Sequence, residues 1–292
     1  MGFTSYSISD RTLRSSVEGY TTKPINDIFV QNKLHQIHPE MNPKNVDSVR
    51  ECCDSTAHPN TVPVQLYLDV TGSMGQIPHM MIKDGLPTLI SVLIQNGVPD
   101  VALMFGAIGD HECDQAPLQV AQFESGDAEL DMWLTRTWLE GRGGSNAGES
   151  YLLAWYFAAM HTRTDAYDKR NKKGFVFTIG DEPCLPNLPI SAIKTIMGKN
   201  TTFQGTSSLT RDDLLNNARQ MNHVYHIHIN HGGRYLDKWW KDAFGQNLIE
   251  IKNYIEIPSL ISSIILSQVE QEVIPISIAG LSKPSIKPEI ML

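Results

Sequence analysis

At the centre of this sequence stands the stretch Val64-Gln65-Leu66-Tyr67-Leu68-Asp69-Val70-Thr71-Gly72-Ser73-Met74-Gly75. The run up to Leu68 is apolar and rich in strand-forming residues, and Asp69 follows it directly. Two hydroxyls, Thr71 and Ser73, and two glycines come before an amphipathic segment, so we expect strand, tight loop and helix in that order. A carboxylate and hydroxyls at the carboxyl end of a strand lie where open α/β sheets bind ligands. Oxygen groups of this kind suit a hard cation such as Mg²⁺.

Outward from this stretch, apolar strands alternate with helix-length segments, which predicts βα units and a mainly parallel sheet. The predicted strands are 64–69, 101–108, 118–123, 175–179, 224–229 and 248–251. The predicted helices are 74–95, 126–139, 148–161, 190–197, 212–221 and 258–272. Pro87 should kink or break the first helix. The strand at 118–123 mixes apolar and polar residues, so we expect it at an edge, antiparallel and with one face in water.

The composition indicates a globular protein and argues against some classes of partner. Hydrophobic residues make up 41% of the 292 residues and charged residues 19%, which predicts a globular α/β protein. The formal charge of −8 argues against nucleic acid or an anionic membrane as the main partner. We find no signal-peptide core and no uninterrupted apolar stretch of roughly 18 residues. The four cysteines form a poor disulfide framework, so we expect a cytoplasmic, intracellular protein.

The chain divides into three predicted parts. Residues 1–62 are polar and interrupted by prolines, and we expect an N-terminal arm that wraps the following domain or reaches to a partner. Residues 63–272 carry the alternating pattern and form the predicted α/β domain. Residues 273–292 contain several prolines and are expected to form an extended C-terminal tail.

Three aspartates, Asp69, Asp110 and Asp181, each follow a predicted parallel strand. Because the carboxyl ends of parallel strands meet at one edge of a sheet, these carboxylates should converge although they are far apart in sequence. Asp69 alone, followed by Thr71 and Ser73, would also fit the N-terminal cap of a helix. The convergence of three loops favours a metal site instead.

With these residues in place, the segment from about 64 to 270 resembles the von Willebrand factor type A (vWA) domain and its metal-ion-dependent adhesion site. Asp69-Val70-Thr71-Gly72-Ser73 stands where that family has Asp-x-Ser-x-Ser, and Asp181 matches the aspartate of the family's third loop. The resemblance implies a Rossmann-like three-layer fold with a mostly parallel central sheet.

The second loop departs from the common family pattern, in which a threonine hydroxyl reaches the metal. Asn146-Ala147-Gly148-Glu149 is more similar to the branch found in integrin β and α-kinase-linked domains, where a glutamate takes that place. Glu149 is therefore the expected ligand, and Asn146, in the place of an aspartate of that branch, is expected beside the metal or as a further ligand. The alternative to Glu149 is Ser145 or no ligand at all from this loop. Asp110 matches an aspartate that lies beside the metal in that branch.

The resemblance implies a Mg²⁺-dependent protein-binding module or adaptor, with Mn²⁺ or Ca²⁺ as alternative ions. Its implied metal ligands are Asp69, Thr71, Ser73, Glu149 and Asp181. In the family, a partner protein donates a carboxylate to the metal, and many intracellular members work with an AAA+ ATPase of the MoxR group. With Glu149 as a direct ligand, three negative charges would surround the ion and weaken the attraction for an acidic partner.

Two other functions stay open. The arm and tail could tie copies together in a virion or another large complex. A hydrolase that activates water on Mg²⁺ would use Glu149 or His111 as its base. Two enzyme classes are excluded by their motifs. Thr71 stands where an Asp-x-Asp phosphatase needs a second carboxylate, and Val70 interrupts the Asp-Thr-Gly triplet of aspartic proteases.

Several histidines and cysteines raise the question of zinc. His226 and His228 share one face of a predicted strand, with His231 just beyond. Structural, hydrogen-bonded histidines are the expected interpretation, with Zn²⁺ as the alternative. His111, Cys113 and Cys184 lack the close Cys-x-x-Cys pairs of zinc sites, so a zinc centre is not expected there.

Overall fold

The computed structural model describes residues 4–46, 49–141, 148–198, 206–230 and 236–279, with their side chains except those of Ile82 and 271–279. The strands in these ranges are β1 (Arg50–Cys52), β2 (Val62–Asp69), β3 (Val101–Ile108), β4 (Leu118–Val120), β5 (Thr162–Thr164), β6 (Gly174–Gly180), β7 (Asn187–Pro189), β8 (Ser208–Thr210), β9 (Asn222–Ile229) and β10 (Leu248–Ile251). The helices are α1 (Ile8–Glu18), α2 (Ile25–Ile28), α3 (Gln31–Leu34), α4 (Ile77–Met80), α5 (Leu86–Gln95), α6 (Asp127–Thr135), α7 (Tyr151–Met160), α8 (Asp165–Arg170), α9 (Ile190–Met197), α10 (Arg211–Met221), α11 (Lys238–Phe244) and α12 (Ile257–Ala279).

A six-stranded sheet in the order β10-β9-β6-β2-β3-β4 forms the centre of the molecule. Neighbouring strands are parallel except for β4, which pairs antiparallel with β3. On the β2, β3 and β6 strands nearly every residue is buried, because helices cover the sheet. The predicted α/β class, with a mostly parallel sheet and one antiparallel edge strand, is confirmed.

Helices pack in two groups beside this sheet. Helix α7 packs against β2, β3 and β6, and α10 lies along α7. Helix α5 packs against β3, and α12 lies along α5. Every side chain of α7 from Tyr151 to Ala158 is buried, which explains why its sequence is apolar on all sides. The result is the expected three-layer arrangement.

The water-facing side predicted for the edge strand at 118–123 is wrong. Leu118, Gln119 and Val120 are all buried. The Gln119 side chain is satisfied inside the protein, since its amide donates to the Trp138 carbonyl and its oxygen accepts from the Trp138 N–H. Segments outside the sheet therefore cover this edge, as edge strands generally require.

The helix predicted at 74–95 is irregular where Pro87 was expected to disturb it. Helix α4 passes through a π turn at Met81–Gly85 into α5, whose first turn contains Pro87. A proline ring excludes the usual i−4 carbonyl, and a wider turn removes that conflict. The whole run Ile77–Gln95 is long and apolar enough to cross a membrane by length and composition, and 47% of its most apolar 18-residue window is buried. Leu89 and Leu93 face the interior, as in a core helix.

The N-terminal arm lies on the α/β domain. Strand β1 pairs in parallel with β5, and α1 contacts α6 and α5. Phe29, Met41 and Cys52 are completely buried and belong to the same apolar core as the sheet. Of the two alternatives for this segment, the structure shows contact with the chain's own domain.

The C-terminal boundary differs from the prediction. Helix α12 runs from Ile257 to Ala279 and passes through Pro275, so residues 273–279 are helical rather than extended. A proline within a helix kinks it or removes one hydrogen bond without necessarily ending it. Residues 280–292 of the predicted tail lie outside the described ranges.

Candidate metal centre

The candidate centre lies at the carboxyl ends of β2, β3 and β6. In the register of the sheet, Asp69 is level with Ile108 and Leu68 with Ile179, so Asp110 and Asp181 follow their strands at the same edge. Strands β3 and β6 lie on opposite sides of β2. The end of β2 is therefore a topological switch point, where connections leave in opposite directions and open a crevice.

A chain of hydrogen bonds joins the first and third loops. Asp69 Oδ1 accepts from the Thr71 N–H at 2.8 Å and from Thr71 Oγ1 at 2.6 Å. Ser73 Oγ donates to Asp181 Oδ1 at 2.7 Å. Thr71 Oγ1 and Ser73 Oγ lie 3.3 Å apart. Four of the five residues predicted as metal ligands thus lie together, as two hydrogen-bonded pairs whose hydroxyl oxygens are neighbours.

This network leaves oxygen lone pairs available. The Thr71 and Ser73 hydroxyls both have a carboxylate to receive their single hydrogen, so their lone pairs remain for a cation. Neighbouring ligands of an octahedral Mg²⁺ at about 2.1 Å lie about 3 Å apart, close to the separation of these two oxygens. The residues present therefore fit a small divalent cation.

Glu149 and Asp110 are buried carboxyl groups that the described residues leave partly unpaired. Glu149 is 4% exposed and Asp110 is fully buried. Glu149 Oε2 and Asp110 Oδ2 have no hydrogen-bond partner among the residues that the structure describes. Burial of a carboxyl oxygen without a hydrogen-bond partner is unfavourable, so a bound cation that contacts these oxygens would be stabilising.

The unfavourable burial of carboxyl groups at this centre also shifts the pKa values of Glu149 and Asp69. Burial, followed by the charge of Asp69, raises the pKa of Glu149 to about 9. Burial also raises the pKa of Asp69 to about 7, with the charge of Asp181 adding to it and the bonds from Thr71 opposing it. Both groups therefore retain protons more strongly than ordinary carboxyl groups do, and a divalent ion would displace these protons.

The position of Glu149 is set by its backbone. Its N–H donates to the Pro183 carbonyl, and its carbonyl accepts from the Leu185 N–H, which ties the second loop to the third.

Within the described ranges, no three His, Cys, Asp or Glu side chains are close enough together to hold a metal ion by themselves. The role of Glu149 as a ligand stays a prediction. Ser145 and Asn146 lie outside the described residues.

Two residues of the centre, Tyr151 and Gly180, were not predicted from the sequence. Tyr151 donates its hydroxyl hydrogen to Asp69 Oδ2 at 3.1 Å, and the Glu182 N–H lies 3.4 Å from the same hydroxyl oxygen. Gly180 makes room for it, since a Cβ at position 180 would lie 1.9 Å from the Tyr151 hydroxyl oxygen. The available signals were a tyrosine two residues after Glu149 and a glycine directly before Asp181.

The residues considered for zinc have other surroundings. His226 is fully buried, its Nδ1 lies 2.9 Å from Thr178 Oγ1, and its ring stacks on Trp240 with centroids 3.6 Å apart. The structural interpretation of His226 is supported by these contacts. His111 is hydrogen-bonded to Ser150 Oγ through Nδ1 at 2.7 Å. All four cysteines are free thiols, and His231 lies outside the described ranges.

Comparison with known proteins gave structural matches only. No family model and no curated protein matches this chain. The open-conformation pilus adhesin SpaC from Lactobacillus rhamnosus GG matches with a TM-score of 0.48 at 10% identity, covering 72% of this chain and 30% of the adhesin chain. Proximal thread matrix protein 1 from the mussel byssus matches with a TM-score of 0.45 at 11% identity, covering 75% and 49%. Its form with a zinc-occupied adhesion-site motif matches with a TM-score of 0.44 at 13% identity, again covering 75% and 49%.

This chain therefore spans less than half the length of either matched protein. At these TM-scores and identities we infer neither a family nor a function from the matches.

Proposed function

We propose that this protein is a protein-binding module that works through a divalent metal ion, with Mg²⁺ as the expected ion and Mn²⁺ and Ca²⁺ as alternatives. The observation that supports this most is the hydrogen-bonded group of Asp69, Thr71, Ser73 and Asp181 at the switch point of the sheet. It presents hydroxyl lone pairs between carboxylates, which is the donor set that hard cations prefer. Glu149 adds a buried carboxyl oxygen, Oε2, that has no hydrogen-bond partner among the described residues.

A protein ligand would complete this site from outside. Mg²⁺ binds six oxygen ligands and usually keeps several waters, so a carboxylate of a partner can replace one of them. The proposed role is that of an intracellular adaptor, and an ATPase of the MoxR group is the partner class that the sequence resemblance suggests.

Metal binding is the first test. We expect isothermal titration with Mg²⁺ and Mn²⁺ to show one site in the wild type and loss of that site in Asp69→Asn, which keeps the shape but removes the charge. The matched control is Asp84→Asn, because the Asp84 side chain is 67% exposed and lies in the helical segment after the first loop. Unchanged metal binding in Asp69→Asn would contradict the proposed site.

Partner binding is the second test. Pull-downs with the same three proteins in Mg²⁺ and in chelator should give partners that are lost both in chelator and with Asp69→Asn. Retention of every partner in chelator would contradict a metal-dependent adaptor even if the metal itself binds.

An assembly role is the second candidate, and one observation favours it. Leu13 and Val17 on α1 are 66% and 72% exposed, and they lie four residues apart on one face of the helix. Burial of these two side chains against another copy would remove their apolar surface from water, which is favourable. Size-exclusion chromatography of the wild type and of Leu13→Ser/Val17→Ser tests this role, and a monomer in both cases would remove it.

A further inference from the structure

Tyr151 occupies an unusual place in the candidate metal centre. It is the first residue of α7, its side chain is completely buried, and its hydroxyl lies between the first and third loops. The hydroxyl donates to Asp69 Oδ2 at 3.1 Å, and the Glu182 N–H approaches its oxygen at 3.4 Å. One side chain thus contacts both loops that carry the expected metal ligands.

The hydrogen bonds fix the orientation of the Asp69 carboxylate. A tyrosine hydroxyl has one hydrogen, and here it goes to Oδ2. The other oxygen, Oδ1, is held by the N–H and the hydroxyl of Thr71. Since both oxygens have donors on different elements, rotation of the carboxylate would break at least one of these bonds.

The ring of Tyr151 packs between aromatic side chains. Its edge packs against His226 with centroids 5.1 Å apart and against Trp240 with centroids 5.4 Å apart. On the side of β6, Gly180 leaves the space that the hydroxyl occupies, because any Cβ there would overlap it. The hydroxyl therefore has one position available, and it faces Asp69.

From this arrangement we propose that Tyr151 is a positioning residue of the metal centre. It touches no metal itself but holds Asp69 and the backbone at Glu182 in the arrangement that the ion requires. This inference rests on the proposed metal site, and it assigns to α7 the task of keeping the first and third loops in register. Partners of this kind around metal ligands commonly contribute 10-fold or more to metal affinity.

The test compares two tyrosines of the same helix. Tyr151→Phe removes the hydroxyl and keeps the ring, whereas Tyr156→Phe removes a buried hydroxyl that lies 3.2 Å from His161 Nε2, away from the metal centre. We expect about tenfold weaker Mn²⁺ and Mg²⁺ binding by isothermal titration in Tyr151→Phe and an unchanged affinity in Tyr156→Phe. The unfolding midpoint of each protein in chelator separates a loss of affinity from a loss of stability.

Each outcome has a distinct meaning. If the wild type binds no divalent ion, the proposed function itself fails. If the wild type binds and folded Tyr151→Phe binds equally well, the positioning role is overturned while the metal site stands. If Tyr151→Phe fails to fold in chelator, the hydroxyl is a structural element of the core, which also overturns the positioning role.

Discussion

Glu149 decides how strongly the candidate centre attracts an acidic partner. It is buried, and burial followed by the charges of neighbours that include Asp69, Asp110 and Asp181 raises its pKa. A direct bond to the ion would place three carboxylates around two positive charges. A site of that kind should hold its metal tightly and attract a further carboxylate only modestly.

Replacement of Glu149 by threonine should therefore strengthen the binding of acidic ligands. At saturating Mg²⁺ we expect Glu149→Thr to bind an acetylated, amidated aspartate at least about fivefold more tightly than the wild type, since removal of one nearby charge is worth ~1 kcal/mol or more. Titration calorimetry measures both affinities, with Asp84→Asn as the charge-matched control. Equal or weaker binding in Glu149→Thr would show that Glu149 does not oppose the incoming carboxylate.

The raised pKa values of Asp69 and Glu149 predict how stability depends on pH. In the unfolded chain these groups titrate near 3.8 and 4.5, and in the folded, metal-free protein near 7 and 9. Between these limits the folded protein binds more protons, so its stability falls as the pH rises towards 9. A divalent ion replaces the protons and removes this loss.

We therefore expect Mg²⁺ to raise the unfolding temperature more at pH 9 than at pH 6. Differential scanning fluorimetry in Mg²⁺ and in chelator at both pH values measures the effect. Glu149→Gln should reduce the difference between the two pH values, because the most strongly shifted group is gone. The same metal-induced increase at pH 6 and pH 9 would contradict this account.

Most residues of the candidate centre could be predicted from the sequence, because they directly follow strands whose carboxyl ends meet at one edge of the sheet. Asp69, Thr71, Ser73 and Asp181 follow apolar runs whose parallel pairing brings them together. Tyr151 was not predictable in this way, since its role depends on the depth at which α7 packs against β6. The residues that follow Tyr151 in the sequence are apolar, so the sequence predicts only an aromatic side chain of the core.

Among the elements, long apolar strands were the most predictable. Strand β3 has the predicted bounds, because a continuous run of eight apolar residues between turn signals has few other stable environments. Helix ends were less predictable. Helix α6 ends at Thr135 rather than 139, where the Gln119 side chain holds the backbone of Trp138. Helix α7 begins after Glu149, whose backbone pairs with the third loop. Both ends are set by contacts distant in sequence.

Helix α5 contributes to the fold through its buried face. Leu89 is completely buried, whereas its neighbour Thr88 is exposed. We expect Leu89→Ala to lower the free energy of unfolding by about 2–5 kcal/mol through lost packing and a residual cavity. Thr88→Ala should change it by no more than about 0.5 kcal/mol. Chemical denaturation followed by circular dichroism measures both, and similar values would mean that α5 is not packed as described.

For the molecule as a whole, the arm and the α/β domain share one core. Arg11 of α1 forms an ion pair with Asp131 of α6 at 2.8 Å, with both side chains 3% exposed. Met41 and Phe29 add apolar side chains from the arm to the interior. The composition of residues 1–62 left open whether the arm wraps the domain or reaches to a partner, because it does not show that a few well-placed apolar residues anchor the arm in the core.

Unfolding of the arm should therefore coincide with unfolding of the domain. We expect Met41→Ala to lower the free energy of unfolding of the whole chain by about 2–5 kcal/mol within a single transition. Leu34→Ala serves as the control, since Leu34 also lies in the arm but is 53% exposed. A separate early transition that involves only the arm would show that the two parts are independent.

The parallel pairing of β1 with β5 limits how copies of this protein could assemble. If one molecule gave its arm to another, it would leave open the position beside β5 and the spaces filled by Phe29, Met41 and Cys52. A closed exchange of arms, between two molecules or around a ring, would fill these positions in every copy. Assembly through the arm therefore requires either a closed domain-swapped oligomer or contacts on its outer surface, where Leu13 and Val17 are exposed.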